Sequence, residues 1–514
     1  MQKPNLIYIL GDDHRHEYLG CAGHPVLQTP HLDRLARDGV RFTHAFCTSP
    51  ACTPSRASHY TGQWERRHGI NFNSGSSLAP RVWEESFPMR LKQAGYFTGW
   101  IGKNHVPVGG QRGYDSGYLE QAFDYWYGNH GHSGFYPKEI EGVGEIYRNA
   151  ESDTQAEVFT EGALDFLKPN LRFRERAKSP FPERPSDQPF CLCVTFNLPH
   201  DCGIDTMQDR TGDDELYKSA YRDQGHLLQP PATYRPYAEA RENPRLPRDV
   251  YSGDYIASYD YTKTPETLRE RQIRICQTVT GMDRFVGRLC DELEAQGLAE
   301  NTIIVFSTDH GIQQGEHGIG GKCFLYEESI RIPLIIYDPR VTTSSARCVR
   351  DEFVVVPDLA PTILDLCGLE PSGSMQGRSL RPLLENEETN WREEVFTEQL
   401  MDIQNYPRSE SVRTRDWKYI RYFARREDPA QADSTFRGTL DDYNECLSST
   451  LDGEPPVYEE LFDLQNDPGE CYNLAGDRVH SNQLDLLRRR LLKLAKEAKG
   501  ADGTPPTIPH GRDS

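Results

Sequence analysis

A few short polar segments hold the residue types that chemistry needs. Asp12-Asp13 follows the apolar run Leu6 to Leu10, and Asp309-His310 follows the run Thr302 to Ser307. Carboxylates at the ends of two strands can converge on one cation, and an oxygen-rich set suits Ca2+ or Mg2+. In Gly102-Lys103-Asn104-His105, Lys103 and His105 stand at i and i+2 of a strand end. They therefore point to one side and could meet one anionic group. His200 closes Asn197-Leu198-Pro199-His200, and Lys322 follows Gly320-Gly321. Cys52 and Arg56 lie in Ser49-Pro50-Ala51-Cys52-Thr53-Pro54-Ser55-Arg56. Taken singly, these residues read as turn, cap or loop positions, and Cys52 as a buried thiol.

The elements around them must bring distant segments together. Apolar runs at Leu6 to Leu10, Tyr96 to Ile101, Phe190 to Asn197 and Thr302 to Ser307 alternate with helical stretches. This predicts an α/β fold with a large, mostly parallel sheet sandwiched by helices. Such sheets collect ligands beyond the carboxyl ends of their strands, where the polar segments fall. Helices are expected at His31 to Asp38, Ser86 to Gln93 and Arg269 to Gly297, the last with apolar residues returning on one face. The intervals Val106 to Ala150 and Asp201 to Thr262 read as functional loop regions. After Thr389 the pattern changes to a strand-like stretch at Ser411 to Phe423, Glu460 to Leu464, and a leucine-spaced helix through Leu484, Leu487, Leu491 and Leu494. The expected division is a domain over 1–389, a smaller C-terminal α+β domain over 390–500, and a poorly ordered tail over 501–514.

The Cys52-x-Pro-x-Arg56 segment resembles the signature of formylglycine-dependent sulfatases of the alkaline-phosphatase-like superfamily. Gly95-Tyr96-Phe97-Thr98-Gly99-Trp100-Ile101-Gly102-Lys103-Asn104-His105 is similar to the second signature of that family. The resemblance implies that Cys52 is oxidised by a formylglycine-generating enzyme, and that the hydrated aldehyde is the nucleophile. It places Arg56 beside the modified residue and Lys103, His105, His200 and Lys322 around the sulfate. It also implies one divalent metal held by Asp12, Asp13, residue 52, Asp309 and His310. Calcium is favoured, although His310 stands where many members carry Asn, and imidazole nitrogen also suits transition metals. By the same analogy His105 serves the hydrate hydroxyl, and His200 with Lys322 the leaving-group side. The resemblance runs from Asn5 to Pro333, with Asp358-Leu359-Ala360-Pro361-Thr362 and Glu460 to Leu464 fitting later elements.

The expected activity is hydrolysis of a sulfate ester, with an O-sulfated saccharide ahead of aryl or alkyl sulfates. Phosphoester or phosphonate-ester hydrolysis on the same fold is the nearest alternative, and an unmatured binding pseudoenzyme a remote one. Tyr125, Trp126, Tyr127, His130, His132, Phe135 and Tyr136 could line a saccharide-binding mouth, or pack a long loop against the core. Composition narrows the partners. The 514 residues carry 58 basic and 78 acidic side chains, a formal charge of −20 that opposes extended binding to nucleic acid or an anionic membrane. No apolar run is long enough to span a bilayer, and no signal peptide is written at the amino terminus. The expected location is cytoplasmic, or periplasmic or secreted if a leader was removed. The 13 cysteines show no disulfide spacing.

Overall fold

The computed structural model describes residues 3–71, 76–109, 116–176, 181–203, 206–208, 210–251, 261–341, 349–387, 390–400, 406–424, 440–500 and 507–509. Nine strands form the large sheet: β1 (Asn5–Asp12), β2 (Val40–Phe46), β3 (Phe97–Lys103), β4 (Tyr125–Asn129), β5 (Phe190–Pro199), β6 (Thr302–Thr308), β7 (Arg331–Tyr337), β8 (Val349–Arg350) and β9 (Val354–Val355). Their order is β8-β2-β7-β6-β1-β5-β3-β4, with β9 beside β2. β7 runs antiparallel to β2 and β6, and every other pairing is parallel. The sheet is therefore mixed, with a parallel majority. β1, β3, β5 and β6 end on one edge.

Alternation along the central strands divides the core between two faces. Leu6, Tyr8 and Leu10 of β1 and Ile303 and Val305 of β6 join one core, with α2 (Cys52–Thr61), α3 (Phe87–Gln93) and α6 (Leu359–Leu366). Ile7, Ile9, Ile304 and Phe306 join the other, under α1 (Pro30–Asp38), α4 (Gln155–Leu167) and α5 (Pro265–Ala295). α5 begins four residues before the expected Arg269, at Pro265. Thr264 caps it there, in a box with Thr267, and Pro265 presets the first turn.

Three expectations change. The interval Val106 to Ala150 contains a strand of the main sheet, β4, paired with β3 from Gly99↔Tyr125 to Lys103↔Asn129. Ser411 to Phe423 is two strands, β11 (Ser409–Arg413) and β12 (Trp417–Tyr422). A turn at Thr414 to Trp417, closed by the Thr414 amide on the Trp417 carbonyl, separates them. They pair with β10 (Val395–Gln399) and β13 (Tyr458–Asp463) in a four-stranded antiparallel sheet. Finally, Thr507–Pro509 of the expected loose tail pairs antiparallel with Ser76–Leu78.

Helix α7 (Ser481–Lys499) covers the small sheet with Leu484, Leu487 and Leu491 against Phe396, Val412, Tyr419 and Leu461. The opposite face of that sheet, through Ile420, Tyr422 and Phe462, joins the larger core. No helix among the described residues is long and apolar enough to cross a membrane. Every cysteine among them is a free thiol.

Candidate active site

The site assembles where β1, β3, β5 and β6 end. Asp12 closes β1 and Asp13 leaves it with φ 62°, a left-handed conformation that a non-glycine residue adopts at a cost of about 1–3 kcal/mol. His105, two residues beyond β3, has φ 58°. At Gly102, just before Lys103, φ is +88° and an added Cβ would lie 2.2 Å from the Thr195 carbonyl. Only glycine lets β3 lie this close to β5 while delivering Lys103 to the edge.

Cys52 is the first residue of α2, and Arg56 lies one turn later. The Arg56 guanidinium fastens the strand ends to one another. Nε donates to Asp309 (2.9 Å), Nη1 to the Lys103 carbonyl (2.9 Å), and Nη2 to Asp12 (3.2 Å) and the carbonyls of Phe196 (3.2 Å) and Gly11 (3.4 Å). Ser55 adds a hydroxyl bond to the Asp309 carbonyl. Arg56 is fully buried, as are both of its carboxylate partners. Removing one member of such a set leaves an unpaired buried charge.

Lys322, His310 and Asp12 surround Cys52. Its Sγ lies 3.0 Å from Lys322 Nζ, 3.4 Å from His310 Nε2 and 3.6 Å from Asp12 Oδ1. Lys322 also reaches Asp13 Oδ1 at 3.2 Å, and Lys103 pairs with Asp12. His200 sits farther out, with Nε2 3.8 Å from Asp13 Oδ2 and Nδ1 2.9 Å from Asp201 Oδ1.

Electrostatics follow this geometry. Burial and Asp12 act to raise the Cys52 thiol, but Lys103 and Lys322 outweigh them and lower it. Asp12 is held well below the usual carboxylate range: burial opposes its charge, and Lys103, His200, Arg56 and Lys322 overcome that. The two site histidines diverge. Burial, Lys103 and Arg56 push His105 well below its ordinary value, favouring the neutral ring. His200 is raised, because Asp13 and Asp201 outweigh burial.

Asp12, Cys52, Asp309 and His310 each offer a donor atom within 4.8 Å of the others, all buried. Asp13 Oδ2 is a buried oxygen with no hydrogen-bond partner. This set fits a divalent cation, with most of its ligation from oxygen. The Cys52 sulfur marks where an oxygen of a hydrated formylglycine would stand.

Of the two readings of the aromatic segment, packing against the core holds for Tyr125 and Tyr127, which β4 turns inward, and for Phe135 and Tyr136, which follow it. Trp126 stacks on Trp100, and His130 binds Glu120. Of these seven, two meet the site: the His130 carbonyl accepts from the His105 amide at 3.0 Å, and the His132 ring centroid lies 5.3 Å from that of His105 and 4.7 Å from that of His200. Sequence reasoning missed Asp201 and Arg271. Arg271 projects from α5 and donates to the His200 carbonyl at 2.8 Å. One Arg among five on a long amphipathic helix carried no signal for that contact.

Comparison with known proteins agrees with this constellation. The model of the Sulfatase family matches residues 4–369, and that of the N-sulphoglucosamine sulphohydrolase C-terminal region matches 315–434. The chain is 26% identical to an N-acetylglucosamine-6-O-sulfatase of Bacteroides thetaiotaomicron, over 98% of this chain and 88% of the relative. It is 28% identical to human N-sulphoglucosamine sulphohydrolase, over 95% of this chain and 89% of that protein. A solved structure in complex with its substrate D-glucosamine-2-N,6-O-disulfate shares the fold, with a TM-score of 0.65, 24% identity, and coverage of 98% of this chain and 99% of that one. With a family model spanning most of the chain and both signature segments meeting at one edge of the sheet, the protein belongs to the sulfatase family and is a sulfuric-ester hydrolase.

Proposed function

We infer that the protein releases inorganic sulfate from an O-sulfated saccharide, with formylglycine formed at Cys52 and Ca2+ as the metal. The observation that carries the site assignment is the position of Cys52. It is the one buried nucleophile precursor at a helix start that faces Lys322, His310 and Asp12 together.

In this reading Asp12, Asp13, residue 52, Asp309 and His310 hold the metal, which polarises the sulfate oxygens when bound. Lys103 and Lys322 compensate the charge that builds on the sulfuryl group. One hydroxyl of the residue-52 hydrate, its proton lost to solvent beforehand in the field of Lys103 and Lys322, attacks sulfur in line as the S–O bond to the alcohol breaks. His200, raised by Asp13 and Asp201, gives its proton to the departing alcohol oxygen. His105, held neutral, takes the proton from the second hydroxyl, so that the C–O bond to sulfate breaks and the aldehyde returns. The opposite displacement of these two histidines supports a division between base and acid. Arg56 positions residue 52 by fixing the strand ends around it.

The saccharide class is supported by relatives named for N-acetylglucosamine-6-sulfate and N-sulphoglucosamine, and by the fold shared with the glucosamine disulfate complex. The test is sulfate release by matured enzyme from a panel of mono-sulfated amino sugars, set beside aryl sulfate, phosphonate and phosphate esters. Peptide mass analysis of residue 52 accompanies it. A sulfated amino sugar is expected to give the highest kcat/KM. Preference for a phosphonate ester, or full activity with unmodified Cys52, overturns the reading.

A further inference from the structure

Beside the buried metal set lies a second cluster of donors that is richer in imidazole and open to solvent. His132, His200 and Asp201 each place a ligand atom within 4.8 Å of the others. His132 is exposed, and His200 and Asp201 are half-buried, so solvent reaches the cluster. Two imidazoles and one carboxylate around an open position are the donor set of a borderline transition metal. The buried set, dominated by carboxylate oxygen, suits a hard cation instead.

Two features pre-order the cluster. His200 Nδ1 already faces Asp201 Oδ1 at 2.9 Å, so a metal there replaces a shared proton with little movement of either side chain. Arg271 holds the His200 carbonyl at 2.8 Å and fixes the backbone that carries both residues. The third ligand comes from a separate segment: the His132 ring lies over His200 at a centroid separation of 4.7 Å and an interplanar angle of 42°. His132 is free to adjust, because it sits at the exposed end of the segment that follows β4.

We propose that His132, His200 and Asp201 form a second metal site at the mouth of the active centre, selective for Zn2+-like ions over Ca2+, and that its occupation inhibits the enzyme. A metal on Nδ1 leaves His200 its Nε2–H but replaces the imidazolium by a metal-bound neutral ring, a far weaker acid toward the leaving oxygen. This inhibition rests on the acid role given to His200 above; the binding site itself does not.

The test uses the full-length matured enzyme in saturating Ca2+, which keeps the buried site filled. Equilibrium dialysis against Zn2+ is expected to find one zinc per chain in addition to calcium. His132→Ala is expected to weaken that zinc by about 10- to 100-fold. His132→Asn, which keeps a polar side chain at this exposed position, serves if the alanine variant misfolds. Sulfate release by the parent enzyme should fall as zinc fills the site and return with a chelator selective for zinc over calcium. In the variant, inhibition relative to its own zinc-free rate should need correspondingly more zinc. Absence of the additional zinc, or equal zinc affinity in parent and variants, overturns the site. Zinc bound through His132 with undiminished sulfate release leaves the site standing and overturns both the inhibition and the acid role of His200.

Discussion

At the junction of the two sheets, Arg66 donates to Glu398 at 2.6 Å and to Glu410 at 2.7 Å, while Arg421 donates to Glu410 at 2.8 Å. Thr450 also bonds Glu410, and Arg66 reaches the Leu447 carbonyl at 3.3 Å. At the catalytic edge, Arg56, Lys103 and Lys322 face Asp12, Asp13 and Asp309 with similar burial. Both clusters match cations with carboxylates, and they differ in what remains open. None of the polar atoms of Arg66, Glu398, Glu410 or Arg421 is left without a partner, whereas Asp13 keeps a buried oxygen unbonded and a left-handed backbone. Charge balance alone therefore does not tell a structural network from a reactive one. Between these two clusters, the open oxygen and the left-handed backbone mark the catalytic one.

Exchanging the two behaviours by mutation breaks or sharpens this contrast. The largest effect is expected at the junction. Arg66→Ala strands the buried Glu398 and leaves Glu410 with Arg421 and Thr450, and it should lower unfolding free energy by about 3–5 kcal/mol. Turnover per folded molecule should stay near that of the parent. Denaturant melts paired with active-site titration measure both, and a large loss of turnover in folded protein would merge the two clusters into one.

Lys103→Ala should do the reverse. Its kcat/KM is expected to fall about 10²–10³-fold, equivalent to about 2.7–4 kcal/mol of transition-state stabilisation. Its melting temperature should change far less than that of Arg66→Ala. Steady-state kinetics beside a thermal melt checks this, and normal turnover would remove Lys103 from the sulfate pocket.

A buried carboxylate outside both clusters supplies the smallest and most diagnostic effect. Asp283, on α5, has no cation; it accepts the backbone N–H groups of His31 and Leu32 at 3.0 and 2.8 Å, at the start of α1. Burial pushes it up to about 7. The folded protein then holds this proton between about pH 4 and 7, where the unfolded chain has released it, so stability falls as pH rises through that window and levels off above it. Asp283→Asn should flatten this fall, with a change on the order of 1–3 °C in the melting temperature across the window. Identical pH profiles for parent and variant would show that the two amide donors satisfy the charge unaided.

The strand ends and their polar residues were legible because buried parallel strands leave long apolar runs and a parallel sheet gathers their carboxyl ends. Residues Asp12, Lys103, His200 and Asp309 could be placed on one edge for that reason alone. β4 was not legible, because Tyr125, Trp126 and Tyr127 are amphipathic and their order does not reveal which ring is buried. Mouth and core packing therefore both stayed open until the structure placed Tyr125 and Tyr127 in the core. His310 was legible as a neighbour of Asp309, but not the direction of its ring toward Cys52. Asp201 and Arg271 were missed because their roles exist only through His200, in contacts that no sequence period encodes.

The pairing of Thr507–Pro509 with Ser76–Leu78 bears on the order in which the molecule is completed. The amide of Leu78 donates to the Pro107 carbonyl, and the amide of Gly109 donates back to the Leu78 carbonyl. The segment that carries the chain away from His105 is thus braced by a short strand whose other edge is closed by residues 507–509. During synthesis that edge stays open until residues 507–509 have followed Lys322 out of the ribosome. A nascent chain can therefore own every catalytic residue and still lack the brace beside one of them, and an insertion that displaced residues 507–509 would reopen that edge.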